Sequence, residues 1–173
     1  MASSKAHHAT GFAAGVIAAA VVARIGGGSH GGAFYVGVLM SFVAGVGGST
    51  APDWLEVAWW SGSRRLWIAH RTLTHWGIGW IALLAVSYRE LGHSVYAAPA
   101  FGFGCGGLMH LLADWPNPLG VPWIARRHSL NLWNSGHCDL IVVAASWAAA
   151  WFVGRHMGLP DIHGLDLLQQ LRL

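Results

Sequence analysis

Five apolar runs divide the chain, at about Gly11–Ile25, Gly32–Gly48, Trp76–Tyr88, Tyr96–Ala113 and Leu140–Val153. None alternates apolar and polar residues as the strands of a transmembrane β-barrel do. Their Ala and Leu content favours helix, and backbone groups placed in hydrocarbon must close their hydrogen bonds locally. The pattern predicts an all-α fold: a polytopic helical membrane protein of about five apolar helices. Each run is short for a span of ~20 residues, and the third meets Arg89-Glu90 after only thirteen. Snorkelling side chains and polar ends buried against protein accommodate short spans. Partial insertion of one hairpin is the alternative. Residues 50–69 set Trp54, Leu55, Trp59, Trp60 and Trp67 against Glu56, Arg64 and Arg65, which predicts a helix or loop lying at the membrane surface. Pro116, Asn117, Pro118 and Pro122 make 115–137 a structured loop rather than a helix. Without repeats or a low-complexity linker, 1–173 reads as one domain.

Tracing the runs gives a polarity. If the first starts on side one, the second returns there at Gly48, the third leaves at Trp76, the fourth returns at Asp114 and the fifth leaves at Asp139. His8, Asp53, His70, His75, His110, Asp114, His128, His137 and Asp139 then share one face, whereas the other holds Arg24, His30, Arg89, Glu90, His93, Arg155 and His156. Polar residues gather at helix ends in any membrane protein, but this convergence is what a shared site requires. Side one carries six Lys and Arg (Lys5, Arg64, Arg65, Arg71, Arg126, Arg127) and side two carries four (Arg24, Arg89, Arg155, Arg172). That bias places side one, and the site, in the cytoplasm.

Composition supports the membrane reading. Hydrophobic residues make up 54% and charged residues 10% of the 173, against about 25% charged in soluble domains. A very apolar soluble helical domain is the competing class. The 24 Gly suit close helix packing, and the eleven Trp suit a bilayer interface. A net charge of +3, scattered along the chain, gives no nucleic-acid footprint. Lys5 before the run Phe12–Ala23 has the general shape of a signal peptide, but no convincing cleavage site follows. Cys105 and Cys138 lie at apolar segments and do not suggest a disulfide framework.

Several residues could carry chemistry. His110 and Asp114, at i and i+4, lie on one face of a helix, where imidazole and carboxylate can meet one Zn²⁺, Mn²⁺ or Fe²⁺ or simply pair at the helix end. His70 and His75 are five apart and would diverge on a continuous helix. They meet one site more easily if a helix starts at Thr72 or Thr74, with Thr74 as its cap. Arg71 between them could bind an anion. Asp53 follows a turn-rich stretch and suits a ligand or a helix N-terminal acid. His8 alone reads as a solvated tail histidine; His128, His137 and Asp139 are weaker still. No phosphate loop, nucleophile elbow or paired-cysteine zinc motif is present.

The stretches "HHATG", "APD", "HRTLTH" and "GLMHLLADWPNPLGVP" cover most of the chain in order. The pattern resembles the bacterial inner-membrane-bound metal-dependent hydrolases, also described as LexA-binding inner-membrane-associated hydrolases. It is more remotely similar to the zinc-dependent phospholipase C and P1 nuclease class. The resemblance implies a helical membrane protein with a divalent metal, zinc first and manganese or iron as alternatives. Motif by motif it nominates His8, Asp53, His70, His75, His110 and Asp114 as ligands, and His128 more weakly. Three positions depart from the family pattern. Leu55 stands where a second aspartate is common, with Glu56 as a candidate replacement; Trp76 stands where serine is frequent; and Asn117 replaces a threonine.

The expected function is metal-dependent hydrolysis at the inner membrane, of phosphoesters, with phospholipids as one candidate among them. Metal-activated water is the nucleophile, Asp53 or Asp114 the general base, and Arg71, Arg126 and Arg127 the phosphate-binding groups. Membrane lipids are the expected partners. A metal transporter and a non-catalytic interaction module are the competing classes.

Overall fold

Ser3 opens the first helix. Its hydroxyl accepts the Ala6 N–H at 3.2 Å, and the helix, α1, runs Ser4–Ile25. It therefore begins seven residues before the apolar run. The remaining runs become α2 (Gly32–Gly48), α4 (Gly77–Arg89), α5 (Ala97–Asp114) and α6 (Asp139–Met157), with a one-turn α3 (Ala51–Trp54) after α2. A 3₁₀ turn, Leu73–His75, leads into α4. The loop after α5 holds a two-residue hairpin, β1 (Val121–Pro122) and β2 (Arg127–His128), with Val121 opposite His128. The computed structural model describes residues 2–26, 31–58, 66, 68, 72–133 and 139–157.

Two local expectations are sharpened. Of the helix or loop expected over 50–69, the described residues form no continuous helix: α3 stops after four residues, and Val57 bridges Leu66 in antiparallel fashion. Trp59, Trp60, Arg64, Arg65 and Trp67 lie outside the described residues. Thr74 does not cap α4, which starts after Trp76. Its hydroxyl is spent on Glu56 instead.

Small residues let the backbones approach. α1 packs on α2, α5 and α6, and α5 packs on α1, α2 and α4. A Cβ at Gly11 would strike the Ser49 side chain, one at Gly102 the Ser41 backbone, and one at Gly106 the backbone of Gly45 and Ser49. Only Ser41, Gly45 and Gly48 of α2 are buried, and only Ser146, Ala150 and Gly154 of α6. Outward on the same helices stand Tyr35, Leu39, Val43, Leu140, Trp151 and Phe152, with Leu140 80% exposed. Small residues inside and large apolar residues outside reverse the order of a water-soluble bundle and suit a lipid surround. The buried serines bond to their own helix, as Ser41 Oγ does to the Val38 carbonyl at 2.7 Å. α1 and α6 are long and apolar enough to cross a membrane, while α2 and α4 are apolar but shorter.

The polar helix ends collect at one end of the bundle. The Ala2 N–H donates to Asp114 Oδ1 at 2.9 Å and the Ser3 N–H to Asp139 Oδ2 at 3.1 Å. These bonds join the start of α1 to the end of α5 and the start of α6. Among the described residues, the convergence expected from the polarity trace holds for Asp53, His75, His110, Asp114 and Asp139.

Candidate metal centre

The centre is built around two imidazoles. His110, in the last turn of α5, is fully buried. Its Nδ1 lies 2.8 Å from the Ser49 carbonyl at the end of α2. A carbonyl only accepts, so Nδ1 carries the proton and Nε2 keeps a lone pair; the tautomer is assigned from this partner. His75, equally buried, has Nδ1 3.0 Å from Glu56 Oε1, so its Nε2 is also an acceptor. The two Nε2 atoms face each other across 3.3 Å.

A third acceptor joins them. Asp53 Oδ1 lies 3.5 Å from His75 Nε2 and 3.6 Å from His110 Nε2. This oxygen is buried without a hydrogen-bond partner, although the Asp53 side chain as a whole is 38% exposed. Burial alone would raise its pKa. The close contact with His75 and the positive charge that His110, His75 and His7 bring when protonated outweigh that and hold the carboxyl below the usual range in the metal-free chain. Three lone pairs converge with no proton between them, an arrangement that fits a cation. The triangle of sides 3.3, 3.5 and 3.6 Å has its circumcentre about 2.0 Å from each atom, the length of a zinc bond to nitrogen or oxygen. On this geometry the residues present fit a small divalent metal.

His7 and Asp114 lie on the other side of His110. The His7 ring stacks on His110 at 3.9 Å, its Nε2 is 3.5 Å from Asp114 Oδ1, and Asp114 Oδ2 is 3.8 Å from His110 Nε2. Both ring nitrogens of His7 are buried without a hydrogen-bond partner. His7, His110 and Asp114 form a second possible ligand group, alongside Asp53, His75 and His110. Both groups draw on the single free nitrogen of His110, so they compete for it or close round one ion.

The structure brings together Asp53, His75, His110 and Asp114 of the nominated set. It does not bring in His8, which is exposed; its neighbour His7 takes the place. Consecutive helical residues point about 100° apart, so only one of the pair can face the bundle. Buried positions His7, Gly11, Ala14, Ala18 and Val21 trace one stripe along α1. His7 lies on that stripe and His8 off it. His70 and Arg71 lie outside the described residues. His128 is exposed, with Nδ1 accepting the Trp115 indole N–H at 2.8 Å, and Arg126 and Arg127 are exposed at the hairpin.

The three departures acquire local roles. Leu55 packs with the apolar cluster of Ala51, Trp80, Leu111 and Val121. The Trp76 indole N–H donates to the Ile124 carbonyl at 2.6 Å and ties the 3₁₀ turn to the hairpin loop. Asn117 Nδ2 donates to the carbonyls of Ala113 and Asp114, at 3.2 and 3.4 Å, and closes the end of α5 beneath the centre.

Fold and site together define an all-α membrane protein with a buried histidine–carboxylate cluster at one end of its bundle. The model of the YdjM inner membrane protein family matches residues 1–157. The chain belongs to that family, which agrees with the inner-membrane part of the resemblance. Neither the comparison with curated proteins nor that with solved structures gives a match, so the likeness to phospholipase C and P1 nuclease gains no support there.

Proposed function

We propose that this protein is a multi-pass, membrane-bound metal-dependent hydrolase acting on phosphoesters, with phospholipids as the nearest substrate class. The observation that carries the reading is the meeting of His75 Nε2, His110 Nε2 and Asp53 Oδ1 at zinc-bonding separations. A divalent ion held there supplies a Lewis acid and lowers the pKa of its water toward about 7. The chain contributes two fixed imidazole acceptors and two unequal carboxylates. Asp114 is fully buried and takes the Ala2 N–H, while Asp53 is partly open to the outside. Of the two, Asp53 can reach an incoming substrate and take a proton from its attacking water. Arg126 and Arg127 stand exposed at the same end of the bundle, where a phosphate could meet them. The excess of Lys and Arg on the side bearing the centre supports a cytoplasmic orientation.

The test is made on purified protein in mild detergent. Elemental analysis should find a divalent metal that a His110→Ala, Asp114→Ala double variant lacks. Hydrolysis of phospholipid and nucleotide phosphoesters should stop with chelator and return with Zn²⁺ or Mn²⁺. Turnover that survives complete metal removal refutes the reading. Retained metal without turnover of any phosphoester favours the interaction module.

A further inference from the structure

Glu56 follows Asp53 by three residues, and the two carboxylates bracket one ring. Asp53 faces His75 on its Nε2 side, and Glu56 Oε1 lies 3.0 Å from its Nδ1. Glu56 is only 1% exposed. Its Oε1 also accepts from Thr74 Oγ1 at 2.8 Å, and that hydroxyl is 3.2 Å from His75 Nδ1. A hydroxyl has one proton. With Thr74's proton committed to Glu56, its oxygen can only accept from His75. Both of these neighbours of Nδ1 are therefore acceptors, and the ring proton must sit there. The turn carrying this triangle is pinned from below, because the Trp80 indole N–H donates to the Thr74 carbonyl at 2.7 Å. Leu55 belongs to the apolar cluster beneath, so Glu56 rather than position 55 faces the Nδ1 side of the ring.

We propose that Glu56 is the positioning residue of the metal centre: its buried carboxylate holds His75 as the Nδ1–H tautomer and aims Nε2 at the ion position. A carboxylate behind a ligand histidine fixes the ring and raises its basicity. Burying a carboxylate is costly unless it is paired, and Glu56 pairs with the ring of the ligand histidine and with the Thr74 hydroxyl beside it. The inference rests on the metal reading of the centre but not on the hydrolytic reaction.

Co²⁺ titration of the full chain in detergent, read by visible absorption, tests it across wild type, Glu56→Gln and Glu56→Leu. Leu fills the volume without an acceptor, and Gln keeps the acceptor. We expect Leu to weaken Co²⁺ binding by roughly 10- to 100-fold and to shift the absorption bands, with Gln close to wild type. Ring-nitrogen NMR of the metal-free wild type, assigned by loss of the signal in His75→Gln, should show the proton on Nδ1. Equal affinities in Leu, Gln and wild type overturn the proposal, as does a lowered thermal midpoint in Leu with unchanged Co²⁺ binding. A wild-type His75 protonated on Nε2 overturns it without any variant, which covers a Leu chain that does not fold. Failure of the wild type to take up Co²⁺ removes the metal centre itself and this role with it. Loss of hydrolysis alone, with Co²⁺ binding and tautomer as expected, leaves Glu56's role standing and counts against the reaction.

Discussion

His110→Ala is the most informative single perturbation, because His110 Nε2 belongs to both possible ligand groups. Whichever group holds the ion, this substitution removes one of its atoms. Loss of a hydrogen-bond partner behind a ligand weakens metal binding about 10- to 100-fold. Loss of the ligand itself should exceed the upper end of that range, so at least about 2.7 kcal/mol of binding free energy disappears. The substitution also has a structural effect. The ring is fully buried, stacks on His7 at 3.9 Å, meets His75 edge-on at 5.1 Å and donates to the Ser49 carbonyl. A buried large-to-small change of this kind costs about 2–5 kcal/mol of stability. The two effects separate in a thermal scan in detergent with and without chelator. A ligand present at ~1,000 times its Kd stabilises the folded state by about 4 kcal/mol. Wild type should therefore melt lower in chelator, while His110→Ala should melt low in both conditions and carry no stoichiometric metal. Metal retained at wild-type affinity in His110→Ala, or a wild-type melting curve indifferent to chelator, would rule out His110 as a ligand of a stabilising metal.

Neighbouring histidines should behave oppositely: His7→Ala lowers metal affinity and stability, whereas exposed His8→Ala leaves both unchanged, as a metal titration and a melt of each variant will read. Gly106→Leu should destabilise the bundle by about 1–3 kcal/mol or more, because a side chain there meets the α2 backbone. Gly47→Ala, with open space around it, should be neutral or stabilise by up to about 1 kcal/mol through helix propensity. Equal melting points for these two glycine variants would contradict the packing described. Acidification should release the metal as imidazoles take up protons, whose unperturbed pKa is ~6.5. Asp53 is already ionised in that window. Its lowered folded value makes its stabilising contribution present above the ordinary value of 3.8 and lost only as pH falls below that; a metal affinity that does not weaken at any stage of acidification would exclude imidazole ligands.

The features legible along the chain are local. Apolar runs without alternation, rich in Ala and Leu, become helices whose bounds match the runs within a few residues for α2, α4, α5 and α6. The i, i+4 spacing of His110 and Asp114 puts both on one turn whatever surrounds them. The parity of the runs was enough to send Asp53, His75, His110 and Asp114 to one end. The choice of His7 over His8 came from packing, since it depends on how α1 rotates against α5, and the Ser3 cap that extends α1 over both lies before the apolar run. Packing alone decided that Glu56 faces the centre while Leu55 faces the apolar cluster. In a four-residue helix followed by a bridged turn, no periodicity runs long enough to assign faces. It alone set the distances as well, because a metal centre is a coincidence of atoms from four chain segments, and spacing along the chain constrains each segment but not their approach.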